Sequence, residues 1–277
     1  MIKRYLEKNK KLINKELNRF LPKKTTHPRV IHEAMRYSVL NKGKRIRPIF
    51  ALESSKICGG KVKNALTFAC AIELIHSYSL IHDDLPSMDD AVTRRGEPSC
   101  HIKYGEAVAI LTGDSLLSLA FNLISRESRK RRENKAKINR IIFEISGAIG
   151  SFGMIGGQIM DLKVKEEKKV DLPTMEYINI HKTASLVAAA TKTGAIIAGA
   201  SEKKIEALQK YGEYAGLAFQ IIDDVLDKNG YVDIFGVSGA RDEARALTER
   251  AKEELEIFGR KADNLRKIAD YILNRNY

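Results

Sequence analysis

The sequence predicts an all-α fold, a bundle of roughly ten helices around a central cavity. Apolar residues recur at helical spacing through nearly the whole chain, and the alternation that marks half-buried strands is almost absent. Turn-forming residues separate the apolar runs, at Pro22, Pro28, Gly59-Gly60, Pro98, Gly105, Pro173 and Gly230. Aromatic residues make up only 7% of the chain and tryptophan is absent, so we expect a core of Leu, Ile and Ala.

The predicted helices follow in order along the chain. A basic amphipathic helix comes first and is expected to end near Pro22. Further helices are predicted over residues 65–81, 107–124, 138–149, 186–200, 205–226 and 240–255. Small residues at 188–190, 194–195 and 198–200 would allow neighbouring helices to approach closely.

The length of the chain, its apolar runs and its cysteines limit the class of protein. With 277 residues and no visible linker, we expect a single domain spanning 1–277. No uninterrupted apolar run reaches the roughly 18 residues of a membrane span, and the basic start of the chain lacks the apolar part of a secretory signal. These features predict a cytoplasmic protein without membrane insertion. Cys58, Cys70 and Cys100 form neither a CxxC pair nor an even set, which argues against disulfides or a zinc site.

The chain is strongly basic. It has 48 Lys and Arg residues against 35 Asp and Glu residues, a net charge of +13, which suits nucleic acid, anionic lipid or an anionic substrate. The sharpest basic run, from Arg126 to Lys137, has no aromatic side chains to stack on bases. We interpret it as a solvated loop between two helices. We therefore expect no nucleic-acid binding and attribute the charge to attraction of an anionic substrate.

A first acidic group consists of Asp83, Asp84, Asp89 and Asp90, at the end of an apolar helix. On an unbroken helix Asp83 and Asp89 would point about 120° apart. Pro86 lies between them and should end or kink the helix, so that the chain can bring Asp89 or Asp90 back towards Asp83. Acidic side chains at a helix C-terminus are electrostatically unfavourable, which indicates a bound cation, and oxygen ligands suit Mg²⁺.

A second acidic group consists of Asp223, Asp224 and Asp227, which can share one helix face with Gln220. Like charges at this spacing repel, so a counter-ion is again implied. Carboxylates at the ends of apolar segments need cations to stay ionised. We expect the two acidic groups to share divalent metal, and such a metal site to bind a polyanion such as a diphosphate.

Two basic segments offer donors to an anion. One combines three cations with a glycine for close backbone approach and a proline: Gly43-Lys44-Arg45-x-Arg47-Pro48. The other is Arg94-Arg95, whose planar guanidinium groups suit phosphate but would equally suit surface ion pairs. Neither segment alone identifies an anion site, because basic loops are common.

Five motifs taken together resemble the trans-isoprenyl diphosphate synthases, in particular the bacterial farnesyl diphosphate synthases. In order they are GKRIRP (43–48), DDLPSMDD (83–90) followed by RRG (94–96), GGQIMDL (156–162), HKT (181–183) and FQIIDDVLD (219–227). The resemblance extends over almost the whole chain. Five motifs in the family's order are far more specific than any one aspartate-rich run.

The resemblance implies a Mg²⁺-dependent condensation of isopentenyl diphosphate with dimethylallyl or geranyl diphosphate to give farnesyl diphosphate. It implies an isopentenyl diphosphate site formed by Lys44, Arg47, His76 and Arg95. It implies three Mg²⁺ ions, bound by Asp83, Asp84, Asp89, Asp223 and Asp227. It implies that the allylic diphosphate contacts Arg94 and Lys182, and that oxygen dipoles of Thr183 and Gln220 face the nascent allylic cation. Its catalytic residues would thus be Asp83, Asp84, Arg94, Lys182, Thr183, Gln220 and Asp223. The family is usually dimeric, so a homodimer is implied as well.

Product length is expected to depend on Tyr78, five residues before Asp83. A bulky side chain there would floor the apolar pocket and favour a C15 product, farnesyl diphosphate. The alternatives are a geranylgeranyl or longer-chain synthase, a class I terpene cyclase, and a non-catalytic regulatory subunit. A cyclase has no need of an isopentenyl diphosphate site, and the intact acidic groups oppose a degenerate subunit or a nucleic-acid binder.

The chain departs from the family pattern after the second acidic group. The family usually has a longer loop there, with a further lysine, whereas Asp227 is followed within a few residues by YVDIFGVSGARDEAR. About twenty residues are missing by comparison. Either the lid is shorter here, or the sequence lacks a segment that would order when substrate binds.

Overall fold

The structure confirms the all-α prediction. The computed structural model describes residues 2–130, 134–167 and 171–275, most of which are helical. The helices are α1 Ile2–Phe20, α2 Arg29–Leu40, α3 Ile46–Ile57, α4 Val62–Asp83, α5 Cys100–Tyr104, α6 Glu106–Lys130, α7 Lys135–Ile149, α8 Met154–Glu167, α9 Leu172–Ile178, α10 Ser185–Ala198, α11 Glu202–Asp227, α12 Tyr231–Glu253 and α13 Asp263–Leu273. A π-helical turn, Asn179–Ala184, lies between α9 and α10, and a 3₁₀ segment, Glu256–Ala262, precedes α13.

The chain divides into two compact units. Unit 1 contains residue 2, Phe50–Ala65 and the described residues from Asn139 onward, and unit 2 contains Lys3–Ile49 and Leu66–Ile138. In unit 1, α11 packs against α10 and α12; in unit 2, α6 packs against α2 and α5. The single domain expected over 1–277 stays a prediction.

Helix α11 packs against its neighbours in unit 1 through an apolar face and through glycines. Ile221, Ile222 and Val225 are buried in a core with residues of α9 and α12, because they recur on one helix face. Towards these neighbours the helix presents glycines: a side chain at Gly212 would press on the α10 backbone at Ala188, and one at Gly216 would press on Ala184, the last residue of the π-helical turn. The close helix approach expected from small residues is thus confirmed, from α11 as well as α10.

Two boundaries differ from the sequence-based predictions. The loop predicted from Arg126 to Lys137 is wrong for its first part, because α6 continues to Lys130. Arg and Lys are good helix formers and no glycine or proline interrupts the run. Residues 131–133 lie outside the described residues, and α7 begins at Lys135. The last predicted helix begins earlier than 240, since α12 starts at Tyr231 and bends at Gly236, whose φ is 67°.

The strands of the described chain form one very short antiparallel hairpin in unit 2. Its strands are β1 Thr93–Arg94 and β2 Glu97–Pro98, and Arg94 pairs with Glu97. The two turn residues, Arg95 and Gly96, have φ values of 58° and 79°. Positive φ at both central positions is the geometry of a type I′ turn, which explains the glycine after the arginine pair.

Two further predictions concern the cysteines and membrane insertion. Cys58, Cys70 and Cys100 are all free, the first half-buried and the other two buried. By length and composition alone, three helical stretches could cross a membrane: Val62–Asp83, Glu106–Arg129 and Lys135–Glu167. The count of uninterrupted apolar residues missed them because isolated polar residues break each run. The absence of membrane insertion therefore stays a prediction.

Candidate active site

In unit 2 the first acidic group forms a tight return of the chain. Helix α4 ends at Asp83, and the backbone N–H of Asp89 donates to the carbonyl oxygen of Asp83 at 2.9 Å. The N–H of Asp90 donates to the carbonyl of Leu85 at 3.1 Å. This confirms the return that Pro86 predicted. Asp83 is half-buried and Asp89 is exposed, so both can be reached from solvent.

Asp84 points inward from the same turn and is 3% exposed. The Nε of Arg94 donates to its two carboxylate oxygens at 2.9 and 3.2 Å, and Nη2 of the same arginine makes a further bond. Burial raises the pKa of Asp84, and the Arg94 guanidinium opposes that shift. Arg94 is also close enough to Asp83 and Asp89 for their charges to raise its own pKa against the effect of burial. The metal-ligand role of Asp84 stays a prediction, and here Asp84 is the partner of Arg94.

A basic group in unit 2 surrounds His76. Nη1 of Arg47 lies 3.5 Å from the Nε2 of His76. Burial, and then the charges of Arg47, Arg95, Arg45 and Arg94, hold the pKa of His76 well below its ordinary range. The imidazole is therefore neutral at pH 7. Several guanidinium groups crowded around a neutral ring favour an anion there, since a phosphate relieves their mutual repulsion.

Arg45 does not belong to the anion-binding donors suggested by its motif. It is 2% exposed, and its Nη1 lies 2.6 Å from Oε1 of the buried Glu73. Nη2 donates to the carbonyls of Val39 and Asn41 at 2.6 and 3.0 Å, and Nε donates to Asn14 at 2.8 Å. All three of its nitrogens are thus engaged in the interior. The interpretation of three available cations in this segment is wrong, because the middle one is needed to neutralise a buried carboxylate.

Gly43 allows the basic segments to pack. A side chain at Gly43 would collide with the guanidinium groups of both Arg45 and Arg95. The glycine was predicted to allow close approach to an anion; it allows close approach of the protein's own arginines. Crowding is visible in Arg95, whose pKa is lowered by burial and by the neighbouring arginines, although Glu73 partly offsets the shift.

In unit 1 a chain of hydrogen bonds links two of the predicted site residues, Thr183 and Gln220, to Asp224 of the second acidic group. The hydroxyl of Thr183 donates to Oε1 of Gln220 at 2.9 Å, and Nε2 of Gln220 donates to Asp224 at 2.9 Å. The other oxygen of Asp224 accepts the backbone N–H of Tyr231 at 3.1 Å, at the start of α12. Asp224 therefore caps α12 across the short connection, and a side chain at Gly230 would press on its carboxylate.

The HKT motif lies on the π-helical turn, a form of helix that is frequent at functional sites. The ring of His181 stacks on the ring of Tyr177, with 3.9 Å between the ring centroids. Lys182 instead makes an ion pair at 2.8 Å with Asp161 of α8. Gly157 permits this contact, because a side chain there would collide with the backbone nitrogen of Lys182.

Asp161 is a site residue that the sequence reasoning missed, although it lies in the quoted GGQIMDL motif. Its Oδ2 also lies 3.0 Å from the Nζ of Lys165. Burial would raise the pKa of Asp161, but Lys182 and Lys165 together lower it. The carboxylate is therefore ionised at neutral pH and holds Lys182 in place. The spacing of 21 residues along the chain gave no signal of this pair.

Arg275 is the second residue that was missed. Its Nη2 lies 2.6 Å from Oδ1 of Asp223, and its side chain is 3% exposed. The counter-ion expected for the second acidic group is therefore present within the chain itself. A lone arginine 52 positions further on offered no sequence pattern that could have pointed to it.

The residues suit Mg²⁺. Asp83, Asp89, Asp223 and Asp227 are all at least partly accessible, and they provide the hard oxygen donors that this ion prefers. No three acidic, histidine or cysteine side chains within the described ranges form a ready-made metal site.

Comparison with known proteins identifies the family. The model of the polyprenyl synthetase family matches residues 28–245. The chain belongs to the polyprenyl synthetase family. A geranylgeranyl diphosphate synthase of Cyanophora paradoxa is 41% identical, with 98% of this chain and 96% of the relative covered. A chloroplastic geranylgeranyl pyrophosphate synthase of Capsicum annuum is 40% identical over 95% of this chain and 76% of the relative.

Solved structures of polyprenyl synthetase relatives agree. An FPP/GFPP synthase of Zymomonas mobilis, solved in its apo form, superposes with a TM-score of 0.93 at 36% identity, covering 98% of both chains. A geranyltransferase of Legionella pneumophila superposes with a TM-score of 0.91 at 33% identity, covering 99% of this chain and 98% of the other. The family resemblance drawn from the five motifs is confirmed, and the protein is a prenyltransferase of the isoprenyl diphosphate synthase type.

The connection after the second acidic group is as short as the sequence indicates. In the structure three residues, 228–230, connect α11 to α12. Lys228 ends α11 with a left-handed φ of 55°.

Proposed function

We propose that the protein condenses isopentenyl diphosphate with allylic diphosphates, in a Mg²⁺-dependent reaction, and that the final product is geranylgeranyl diphosphate. The observation that carries the anion-binding part of the proposal is the group of arginines around a neutral His76, beside an acidic turn that folds back on itself. The relatives with the names geranylgeranyl diphosphate synthase and geranylgeranyl pyrophosphate synthase support the C20 product.

The basic group of unit 2 is assigned to isopentenyl diphosphate. Lys44, Arg47 and Arg95 donate to the diphosphate oxygens as cations. His76 contributes as a neutral imidazole, because its pKa lies well below the ordinary range. Arg45 contributes no direct contact, since all its nitrogens are engaged with buried partners.

The allylic diphosphate is assigned to Arg94 and Lys182 together with the acidic groups. Mg²⁺, when bound by carboxylates of these groups, supplies positive charge that stabilises the departing diphosphate. Lys182 is held by Asp161 and so presents its charge from a defined position. Arg94 and Lys182 interact with the diphosphate most strongly in the transition state, when negative charge develops on this leaving group. Stabilisation at that stage accelerates the reaction.

The carbocation formed when the allylic C–O bond breaks needs electron-rich neighbours that are not nucleophilic. We assign this role to Thr183 and Gln220. The Thr183 hydroxyl donates its hydrogen to Gln220, which leaves its oxygen lone pairs for the cation. Gln220 is oriented by its second bond, to Asp224. The isopentenyl double bond then attacks the allylic cation and forms a C–C bond and a second carbocation. A carbon next to this second cation loses a proton to the departing diphosphate, which forms the new double bond.

Farnesyl diphosphate is the second candidate product, favoured by the side chain five residues before Asp83. Tyr78 is 6% exposed and its ring packs edge-on against His82, with 5.8 Å between centroids. Its hydroxyl has no hydrogen-bond partner among the described residues, and burial raises the pKa of Tyr78 to about 12. A large side chain in such apolar surroundings would shorten a tail pocket below Asp83.

Product analysis tests the proposal. The protein is incubated with isopentenyl diphosphate and dimethylallyl, geranyl or farnesyl diphosphate, with Mg²⁺ or with EDTA, and the dephosphorylated products are separated by chain length. We expect C20 alcohol with Mg²⁺ and none with EDTA. A C15 end product would support the second candidate, and absence of any elongated product with Mg²⁺ would refute both.

Variants separate the two proposed subsites. Arg47→Gln should raise the KM for isopentenyl diphosphate with little change for the allylic substrate, and Lys182→Gln should do the reverse. Arg245→Gln is the matched control, since Arg245 forms an exposed pair with Asp242 on α12. Equal effects of both site variants on both substrates would contradict the assignment of separate subsites.

A further inference from the structure

The second acidic group has a counter-ion from within the chain. Arg275 follows the end of α13, and its Nη2 lies 2.6 Å from Oδ1 of Asp223. The same nitrogen donates to the carbonyl of Phe219 at 2.8 Å, and the guanidinium carbon lies 3.9 Å above the Phe219 ring. An arginine from a distant part of unit 1 thus covers the first carboxylate of the group.

The charge of Arg275 is needed where it lies. Asp223, Asp224 and Asp227 crowd one end of α11. These three carboxylates lie within five residues at the end of one helix, so their charges repel one another. A guanidinium on Asp223 reduces this repulsion.

Arg275 is bound less completely than a structural arginine of the same protein. Each nitrogen of Arg45 donates a hydrogen bond. The Nε of Arg275 is buried with no partner among the described residues. A buried donor without a partner costs free energy, so it calls for an explanation. A contact that is made in one state and released in another provides one.

We propose that Arg275 holds Asp223 in the metal-free protein and that Mg²⁺ displaces it, so that metal binding releases Asn274 and Arg275, the described residues that follow α13. The inference rests on the proposed function only in taking Asp223 as a metal ligand. The competition is electrostatic: the guanidinium offsets the negative charge of Asp223 that would attract the metal ion, and the two cations repel each other when both lie against one carboxylate. Arg275 thereby sets how much metal is needed before the second acidic group is loaded.

Metal titration tests the proposal without any prenyl substrate. Free Mn²⁺ is measured by electron paramagnetic resonance as it is added to the wild-type protein, to Arg275→Gln and to Arg275→Lys. We expect Arg275→Gln to bind Mn²⁺ about tenfold more tightly, equal to about 1.4 kcal/mol, and Arg275→Lys to lie between it and the wild type. The control is Arg245→Gln in α12, which loses an exposed pair with Asp242 and should leave Mn²⁺ binding unchanged.

A second measurement uses the unaltered protein, so that misfolding of a variant cannot decide the result. Hydrogen exchange of residues 270–275 is followed at short times with and without Mg²⁺ and inorganic pyrophosphate. The N–H of Asn274 donates to the carbonyl of Asp270 at 3.0 Å, and we expect such amides to exchange faster once Arg275 is released. Unchanged or slower exchange, or Mn²⁺ affinity that is equal or weaker in Arg275→Gln, would overturn the proposal.

The outcome is separable from that of the proposed function. If the protein elongates allylic diphosphates but Arg275→Gln leaves Mn²⁺ affinity unchanged, or Mg²⁺ and pyrophosphate leave the exchange of residues 270–275 unchanged, the displacement is wrong and the enzyme assignment stands. If no elongation occurs but Arg275→Gln binds Mn²⁺ more tightly, the displacement stands and the enzyme assignment falls.

Discussion

Replacing Glu73 by glutamine asks whether Arg45 stabilises the fold or binds substrate. The Arg45–Glu73 pair is 2.6 Å long, and both side chains are at most 1% exposed. Glutamine keeps the shape and an acceptor oxygen but removes the charge, so the Arg45 guanidinium would be left buried without a counter-charge. Breaking a buried pair in this way costs about 3–5 kcal/mol.

Urea unfolding, followed by circular dichroism, measures this cost. With Glu73→Gln we expect a loss in that range and a fall in the melting temperature of roughly 10 °C. Asp242→Asn removes one partner of an exposed pair on α12, with side chains 63% and 65% exposed, and should cost at most about 1 kcal/mol. This control separates the effect of burial from the effect of removing a carboxylate.

Kinetics decides between the two roles. If Arg45 is structural, the KM for isopentenyl diphosphate should stay the same or fall in the folded variant, because Glu73 also offsets the charge of Arg95. The reasoning is refuted if Glu73→Gln unfolds at the same urea concentration as the wild type and its KM for isopentenyl diphosphate rises more than about tenfold. Arg45 would then belong among the substrate contacts after all.

Three further predictions follow from the site. The pKa of His76 in the folded protein lies well below its ordinary value near 6.5. As the pH falls below about 6.5, the unfolded chain therefore binds a proton that the folded chain does not, and the free energy of unfolding should decrease towards pH 5. In urea unfolding, His76→Gln should remove up to ~1.4 kcal/mol per pH unit of that dependence. An unchanged slope would mean that His76 is protonated in the folded protein. Asp161→Asn should lower kcat/KM for the allylic substrate by roughly ten- to a hundredfold, the value of one charge-assisted bond, while Asp161→Glu recovers part of it; equal losses in the two variants would contradict positioning of Lys182. Tyr78→Ala should shift products to longer chains by at least one C5 unit, and an identical product spectrum would show that Tyr78 does not limit the pocket.

Local patterns in the sequence account for much of the fold and part of the site. Helical periodicity and the positions of proline and glycine predicted the helices, since both act within a few residues of the chain. The return of the first acidic group was predictable for the same reason: a proline two residues beyond Asp84 cannot continue the helix. The predicted end of α6 was wrong because the basic run from Arg126 was interpreted as a loop, although Arg and Lys favour helix.

The site residues implied by the five motifs are found in two units, and their roles remain proposals. What the motifs could not give was the partner of each charge. Arg45 and Arg47 are two positions apart in one motif, yet the structure buries the first against Glu73 and places the second beside His76. The difference arises from which elements pack around each side chain, and no spacing along the chain contains that information.

The sequence by itself determined the helical class, the family and the presence of two acidic groups that need positive charge. Only the tertiary structure decided where that charge comes from: Arg94 for Asp84 and Arg275 for Asp223. It also paired Lys182 with Asp161, a carboxylate outside both groups. The reason is physical. Helix formation depends on neighbours three or four residues away, whereas neutralising a carboxylate depends on distance in space, which chain folding sets between residues that are up to 52 positions apart in these pairs.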